Sequence, residues 1–184
     1  MKEIINDIEK FRTFNKLKKV YRRNSVGTRK ESSSEHSWSC LLLADFFLSR
    51  TSLGLDRLKV YELLMYHDIL EIELGDAPLH SDIDRAPDNK IEHNGIRKLN
   101  EQLPTPLNSK FLELFKEFKE QKTREAKFAK LIDSLDPVIH ELDYKEDWKD
   151  WSMEFFIREK SKHFEEFPEL VQVFDEILNY LVGN

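Results

Sequence analysis

The sequence predicts an all-α fold, and three observations support that prediction. Apolar residues recur at helical spacing along nearly all of the 184 residues. Only 5 glycines and 6 prolines are present, which is few for a chain with many tight turns. No segment shows the alternation of apolar and polar residues that is typical of a strand. Thirteen Phe and three Trp can fill a core, and the length suits one compact domain over residues 1–184.

The predicted helices of the first half are separated by one loop and one short break. The first helix has an apolar face formed by Ile4, Ile5, Ile8 and Phe11. Residues 21–34 lose this periodicity, contain Gly27 and end in three serines, so a loop is predicted there. Ser34 is the predicted N-cap of the second helix. Asp56 is the predicted N-cap of a third helix over residues 57–72.

The second half contains a long loop followed by more helices. Residues 73–88 are interrupted by glycine and proline, and loops of this length often carry function. Helices are predicted near 89–100, 108–120, 123–142 and 168–181, the last with proline in its first turn. The aromatic stretch 148–156 suits a core or a dimer interface better than a platform for base stacking. Residues 145–184 are predicted to form a helical extension packed on the rest.

Charge and cysteine content restrict the partners and the compartment. The formal net charge of -6 argues against binding a nucleic-acid polymer or a membrane surface. A local basic cluster at residues 22–30 could still bind a phosphate, or it could be a solvated turn. The single cysteine, Cys40, cannot form an internal disulfide and suits a buried position. The N-terminal stretch is unlike a secretory signal, and no segment approaches the roughly 20 apolar residues of a membrane span, so a cytoplasmic location is expected.

The pair His67-Asp68 follows an apolar stretch and is followed by further acids. Such a dipeptide alone is weak evidence, and an ordinary solvated helix end is the alternative. Glu71 lies four residues after His67, on the same face of a helix. Gly75 is suited to a C-terminal turn, and Asp76 adds another carboxylate. Several acids close to a core favour a bound cation, because uncompensated negative charge is unfavourable there.

Two other regions offer candidate ligands for such a cation. His36 lies in the first turn of the predicted second helix, where a capping or core role is common. Asp133 has apolar neighbours on both sides, and an acid in that setting is buried only with a partner or a metal. Asp136 competes with Asp133, although the following Pro137 indicates a position facing a turn.

Four features of the sequence, taken in chain order, resemble those of the HD-domain hydrolases. They are an Arg-rich loop, Glu-His-Ser, His-Asp-x-x-Glu-x-x-x-Gly-Asp and Lys-x-x-Asp. The likeness is greatest to the branch that contains bacterial 5′-deoxynucleotidases and their small relatives. It extends over about residues 11–144, and the segment 126–133 favours Asp133 over Asp136 as the ligand.

The resemblance implies an all-helical fold with one divalent metal ion held by His36, His67, Asp68 and Asp133. It implies that Glu71 and Asp76 act close to the substrate. It also implies that an arginine before the first histidine contacts the phosphate. Arg22 is the best match for this arginine, and Arg23 and Arg29 are the alternatives.

The implied ligand set defines a reaction and a range of metals. Two imidazoles and two carboxylates suit Mn²⁺, Co²⁺, Fe²⁺ or Zn²⁺ better than Mg²⁺. The expected function is a phosphomonoesterase for (deoxy)nucleoside 5′-monophosphates. A cyclic or polyphosphorylated nucleotide is the alternative substrate, and a non-catalytic nucleotide-binding module is the alternative class. A homodimer is expected, in line with the resemblance and with the commonest assembly of soluble enzymes.

Overall fold

The structure is a computed structural model that describes residues 2–77, 89–140, 142–149 and 152–183. Helices dominate these residues, which confirms the all-α prediction. The α-helices are α1 (Lys2–Phe11), α2 (Ser33–Arg50), α3 (Arg57–Tyr66), α4 (Glu71–Leu74), α5 (Asn89–Gln102), α6 (Leu107–Glu120), α7 (Arg124–His140), α8 (Met153–Ser161) and α9 (Val171–Gly183). Short 3₁₀ helices are Arg12–Lys19, Lys145–Trp148, Lys162–Phe164 and Pro168–Leu170.

The centre of the fold is a group of three helices. Helices α2, α3 and α7 pack against one another, and α6 packs on α3 and α7. Their facing side chains are fully buried, among them Leu63, Leu64, Phe111, Phe128 and Leu131. Burial of aliphatic and aromatic side chains is the main favourable contribution to folding, at roughly 1.5–3 kcal/mol each. This packed group holds the three segments that contain the predicted metal ligands.

The prediction of a loop without strands over residues 21–34 was wrong. Strands β1 (Tyr21–Val26) and β2 (Arg29–Ser32) form an antiparallel hairpin in which Val26 pairs with Arg29. Gly27 begins the two-residue turn with a φ of +59°, a conformation that glycine adopts without strain. The polar composition of the strands concealed them. The Gly-containing turn was the available signal.

Helix α2 begins before the predicted position. Its N-cap is Ser32, not Ser34, because the Ser32 hydroxyl accepts the Glu35 N–H at 3.3 Å. The Glu35 carboxylate in turn accepts the Ser32 N–H at 2.9 Å. This reciprocal pair is a capping box, and it fixes where the helix starts after β2.

The third predicted helix is shorter than expected. Asp56 caps it as predicted, accepting the Lys59 N–H at 3.1 Å. The helix ends at Tyr66, however, and a turn over residues 67–70 leads into α4. His67 Nδ1 lies 2.7 Å from the Leu64 carbonyl oxygen, and a side chain bonded to the backbone in this way competes with the helical pattern. The His-Asp pair therefore lies in a tight turn between two helices.

The later helices agree with the predictions within a few residues, including Pro168 in the 3₁₀ turn that precedes α9. Pro137 lies inside α7 instead of ending it. Residues 78–88 of the long predicted loop, with His80, lie outside the described residues, as do parts of the aromatic stretch 148–156. Among the residues described, no helix is both long and apolar enough to cross a bilayer.

Candidate metal centre and cleft

A cleft of about 650 Å³ opens where the hairpin, the turn after α3, helix α7 and the C-terminal segment meet. Its volume is within the range of small-molecule sites. The lining is strongly charged: it includes Arg22 and Arg23 from β1, and acids from the turn after α3 and from α7. The predicted metal ligands Asp68 and Asp133 are part of its wall.

The four predicted metal ligands come together at the base of this cleft. His36 Nε2 lies 3.0 Å from Asp133 Oδ1 and 3.9 Å from Asp68 Oδ2. His67 Nε2 lies 3.1 Å from Asp68 Oδ1 and 3.6 Å from Asp133 Oδ1. Both histidine side chains are almost completely buried. Residues nearly 100 positions apart in the sequence thus place two nitrogens and two carboxylates around one point.

His67 shows that this arrangement fits a cation. Because its Nδ1 lies 2.7 Å from a carbonyl oxygen, Nδ1 is the donor and Nε2 carries the lone pair of the neutral ring. Nε2 is buried without a hydrogen-bond partner and faces two carboxylates. Burial lowers the pKa of His67, yet Asp68 and Asp133 raise it to about 10. The two acids favour a positive charge at this position, and a divalent ion would satisfy the nitrogen and both acids together.

His36 is oriented by a residue that was assigned differently from the sequence. Asp136 was predicted to face a turn, but it is buried inside α7, with its Oδ2 2.9 Å from His36 Nδ1. The Ser39 hydroxyl donates to the other oxygen of Asp136 at 2.5 Å. A carboxylate that accepts one ring N–H of a histidine directs the other nitrogen at a metal. The prediction for Asp136 was wrong because this part of α7 packs against His36 instead of facing a turn.

The two predicted catalytic acids, Glu71 and Asp76, line the same cleft as the proposed ligands Asp68 and Asp133. Glu71 begins α4, and Asp76 follows Gly75, whose φ of +76° turns the chain after that helix. Burial, together with Asp68 and Asp76, raises the pKa of Glu71 to about 8. Burial also raises the pKa of Asp76, against the effect of Arg22. A raised pKa suits Glu71 to exchanging a proton near neutral pH.

The structure separates the three candidate arginines. Arg22 Nη1 lies 3.5 Å from Asp68 and 3.6 Å from Asp76, and its Nε is buried without a hydrogen-bond partner. Arg23 also lines the cleft. Arg29 does not line the cleft, because its guanidinium is exposed and forms a bidentate ion pair with the Glu35 carboxylate at 2.5 and 2.8 Å.

The described residues contain two other groups of potential ligand atoms, and within each group the atoms lie within 4.8 Å of one another. One joins Cys40 to His36 and His67, and the other joins Glu31 to His36 and Asp136. Cys40 is buried as predicted, and burial raises the pKa of its thiol well above the ordinary value. A thiol that resists ionisation is a weaker candidate ligand than the carboxylates of Asp68 and Asp133, whose pKa values are lowered.

The roles of three residues near the site were not predicted from the sequence: Asp136, which was considered only as a competing ligand, Lys130 and His163. Lys130 was part of the Lys-x-x-Asp motif, which was the available signal for it. His163 lines the cleft, and its pKa is lowered to about 4, mainly by burial and then by nearby lysines. No pattern in the sequence places the C-terminal segment beside a site formed by the first 136 residues.

A family model described as HD domain matches residues 14–171. The 5′-deoxynucleotidase HDDC2 of Bos taurus is 26% identical over 176 residues, which are 94% of this chain and 84% of the relative. The human 5′-deoxynucleotidase HDDC2 is also 26% identical, over 81% of this chain and 72% of its own. A solved structure from Magnetospirillum magnetotacticum, named a predicted metal-dependent phosphohydrolase, superimposes with a TM-score of 0.84 at 22% identity. It covers 99% of this chain and 96% of its own, so the two share a fold.

Proposed function

Because this chain belongs to the HD-domain family, we propose that it is a metal-dependent phosphomonoesterase acting on (deoxy)nucleoside 5′-monophosphates. One observation of the structure supports this above the others. The buried Nε2 of His67 has no hydrogen-bond partner and faces Asp68 and Asp133 at the base of a cleft that also contains Arg22. The relatives named 5′-deoxynucleotidase support the substrate class.

The proposed metal ligands are His36, His67, Asp68 and Asp133, with Mn²⁺, Co²⁺, Fe²⁺ or Zn²⁺ preferred over Mg²⁺. When bound, such an ion would polarise a phosphoryl oxygen and lower the pKa of water. Four protein ligands leave one or two coordination positions free on ions that take five or six ligands. One ion is proposed, because these four side chains surround a single point.

The remaining residues act on the substrate. Arg22 neutralises charge that develops on the phosphate, and its Nη1, 3.5 Å from Asp68 and 3.6 Å from Asp76, supplies a donor for a phosphate oxygen. Arg23, on the wall of the cleft, is the second candidate for this contact. Glu71, whose pKa is raised by burial and by Asp68, is the candidate proton donor to the departing 5′ oxygen, and Asp76 is the candidate for orienting the attacking water.

The proposal is tested by metal analysis and a panel of phosphate esters. Protein stripped with a chelator is supplied with Mn²⁺, Co²⁺ or Mg²⁺, and phosphate release is measured. We expect hydrolysis of deoxynucleoside 5′-monophosphates with Mn²⁺ or Co²⁺ and none without metal. Asp68→Ala should lose both metal and turnover while its circular dichroism stays helical. Asp175→Ala, which changes an exposed acid of α9, is the matched control.

The same panel distinguishes the alternatives. Hydrolysis restricted to a cyclic or polyphosphorylated nucleotide would support the proposed metal centre and show that the proposed substrate is wrong. Neither metal nor turnover would indicate a non-catalytic nucleotide-binding module. Full activity of Asp68→Ala would refute the mechanism.

The proposal also includes a homodimer in the cytoplasm, where nucleotide pools are found. Trp38, Leu42 and Phe46 are spaced four residues apart on α2 and are 64%, 53% and 49% exposed. Residues at this spacing form one stripe on a helix, and exposed apolar stripes are typical of protein interfaces.

A further inference from the structure

Lys130 contacts a proposed metal ligand without belonging to the ligand set. It lies one helical turn before Asp133 on α7, and its Nζ is 2.7 Å from Asp133 Oδ2. The lysine side chain is 32% exposed and lines the cleft. Its ammonium lies 5.5 Å from the centre of the Phe118 ring, and that ring is 5.4 Å from the ring of His67. Lys130 is thus held between a carboxylate and an aromatic face beside the proposed metal centre.

The two oxygens of Asp133 have different partners. Oδ1 faces the histidines, at 3.0 Å from His36 Nε2 and 3.6 Å from His67 Nε2. Oδ2 faces away from them and accepts from Lys130. One oxygen of the carboxylate is therefore already engaged in a charge-assisted hydrogen bond with the Lys130 ammonium.

We propose that Lys130 is a positioning residue that restricts Asp133 to a single ligating oxygen and so keeps one coordination position open for the phosphate. A carboxylate with two available oxygens can occupy two positions on a metal ion, whereas one with an oxygen bound to an ammonium occupies one. Partners of this kind orient metal ligands, and their loss typically weakens metal binding by about 10–100-fold. Phe118 supports the geometry because its ring face attracts the ammonium.

This inference rests on the proposed metal centre, and its test measures metal binding directly. Chelator-treated wild type, Lys130→Met and Lys130→Arg are titrated with Mn²⁺, and free Mn²⁺ is followed by electron paramagnetic resonance. Lys130→Met should weaken Mn²⁺ binding by about 10–100-fold and change the spectrum of the bound ion. Lys130→Arg, which keeps the charge, should recover much of the affinity. Lys127→Met is the matched control, because Lys127 lies one turn earlier on α7 and pairs with Glu166 at the surface.

KM together with Mn²⁺ affinity separates positioning from direct substrate binding. With saturating Mn²⁺, Lys130→Met should raise KM for a deoxynucleoside 5′-monophosphate, because the freed Asp133 oxygen competes with the phosphate for its position on the ion. Wild-type affinity for Mn²⁺ combined with a raised KM would overturn the inference and make Lys130 a phosphate ligand. If Lys130→Met does not fold, as judged by circular dichroism, Lys130→Gln replaces it with the same expected results. Lys130-dependent Mn²⁺ binding without hydrolysis of any nucleotide would contradict the proposed function while supporting the role of Lys130.

Discussion

Each histidine of the proposed centre is fixed through its other ring nitrogen. His67 Nδ1 donates to the Leu64 carbonyl at 2.7 Å, and His36 Nδ1 is held by Asp136 at 2.9 Å. The two Nε2 atoms are therefore directed at the same carboxylates. Fixing a ring in this way reduces the reorganisation needed on binding a metal. The partner of His36 is the carboxylate of Asp136, and a carboxylate partner would also make His36 a stronger ligand.

Asp136→Asn should weaken metal binding by about tenfold or more, because a neutral amide supports the His36 ring less well than a carboxylate. The dissociation constant is measured by competition with a chromophoric chelator. Ser39→Ala is the control: it removes the hydroxyl that donates to the other oxygen of Asp136 and leaves the carboxylate in place. Equal metal affinities for Asp136→Asn and wild type would show that Asp136 is only a structural residue.

At the scale of elements, the ends of helices set the position of the site. The end of α3 at Tyr66 places His67 and Asp68 in a turn, and the start of α2 at Ser33 places His36 in the first turn of that helix. The capping box of Ser32 and Glu35 defines that start and connects it to the hairpin that carries Arg22. Arg29 pairs with Glu35 and so reinforces the cap from the second strand.

Glu35→Gln should lower the melting temperature by about 1–3 °C at pH 7, because it weakens the cap and the pair with Arg29. The hydrogen bond from Arg29 and the Ser32 N–H lower the pKa of Glu35 to about 2. Because the pKa of Glu35 is lower in the folded protein, its carboxylate stabilises the fold fully at any pH above its pKa in the unfolded chain, about 4.3. This contribution is lost as the pH falls towards 2. The difference from wild type should therefore shrink between pH 5 and pH 3.

The measurement is thermal unfolding followed by circular dichroism across this pH range. Glu101→Gln, which removes an exposed helical pair with Arg97, should have a smaller effect. A difference between Glu35→Gln and wild type that is the same at pH 3 and pH 7 would contradict the assignment to the carboxylate.

At the scale of the whole molecule, the apolar stripe on α2 points away from the core. Leu42→Glu should convert a dimer to a monomer of 22.0 kDa, because a charge at the centre of an apolar interface has no partner. Light scattering after size-exclusion chromatography gives the mass. Ile91→Glu, at an exposed position on α5, is the control. A wild type that is already monomeric at micromolar concentration would refute the homodimer.

The sequence by itself determined the helical class, the approximate helix positions and the four residues proposed as metal ligands. Apolar periodicity predicted most helices because that signal is local and repeats along each one. The ligands were found because the His67-Asp68 motif and its acids are contiguous and resemble a known family. That family is the one to which the chain belongs.

Only the tertiary structure decided which residues contact the proposed ligands and which arginines line the cleft. Asp136 contacts His36 across 100 positions, and the turn between β1 and β2 carries Arg29 away from the cleft while leaving Arg22 and Arg23 on its wall. The polar hairpin lacked strand periodicity, and Pro137 suggested that Asp136 faces a turn although both residues lie inside α7. Each of these outcomes depends on packing between distant segments, and local propensity does not encode that packing.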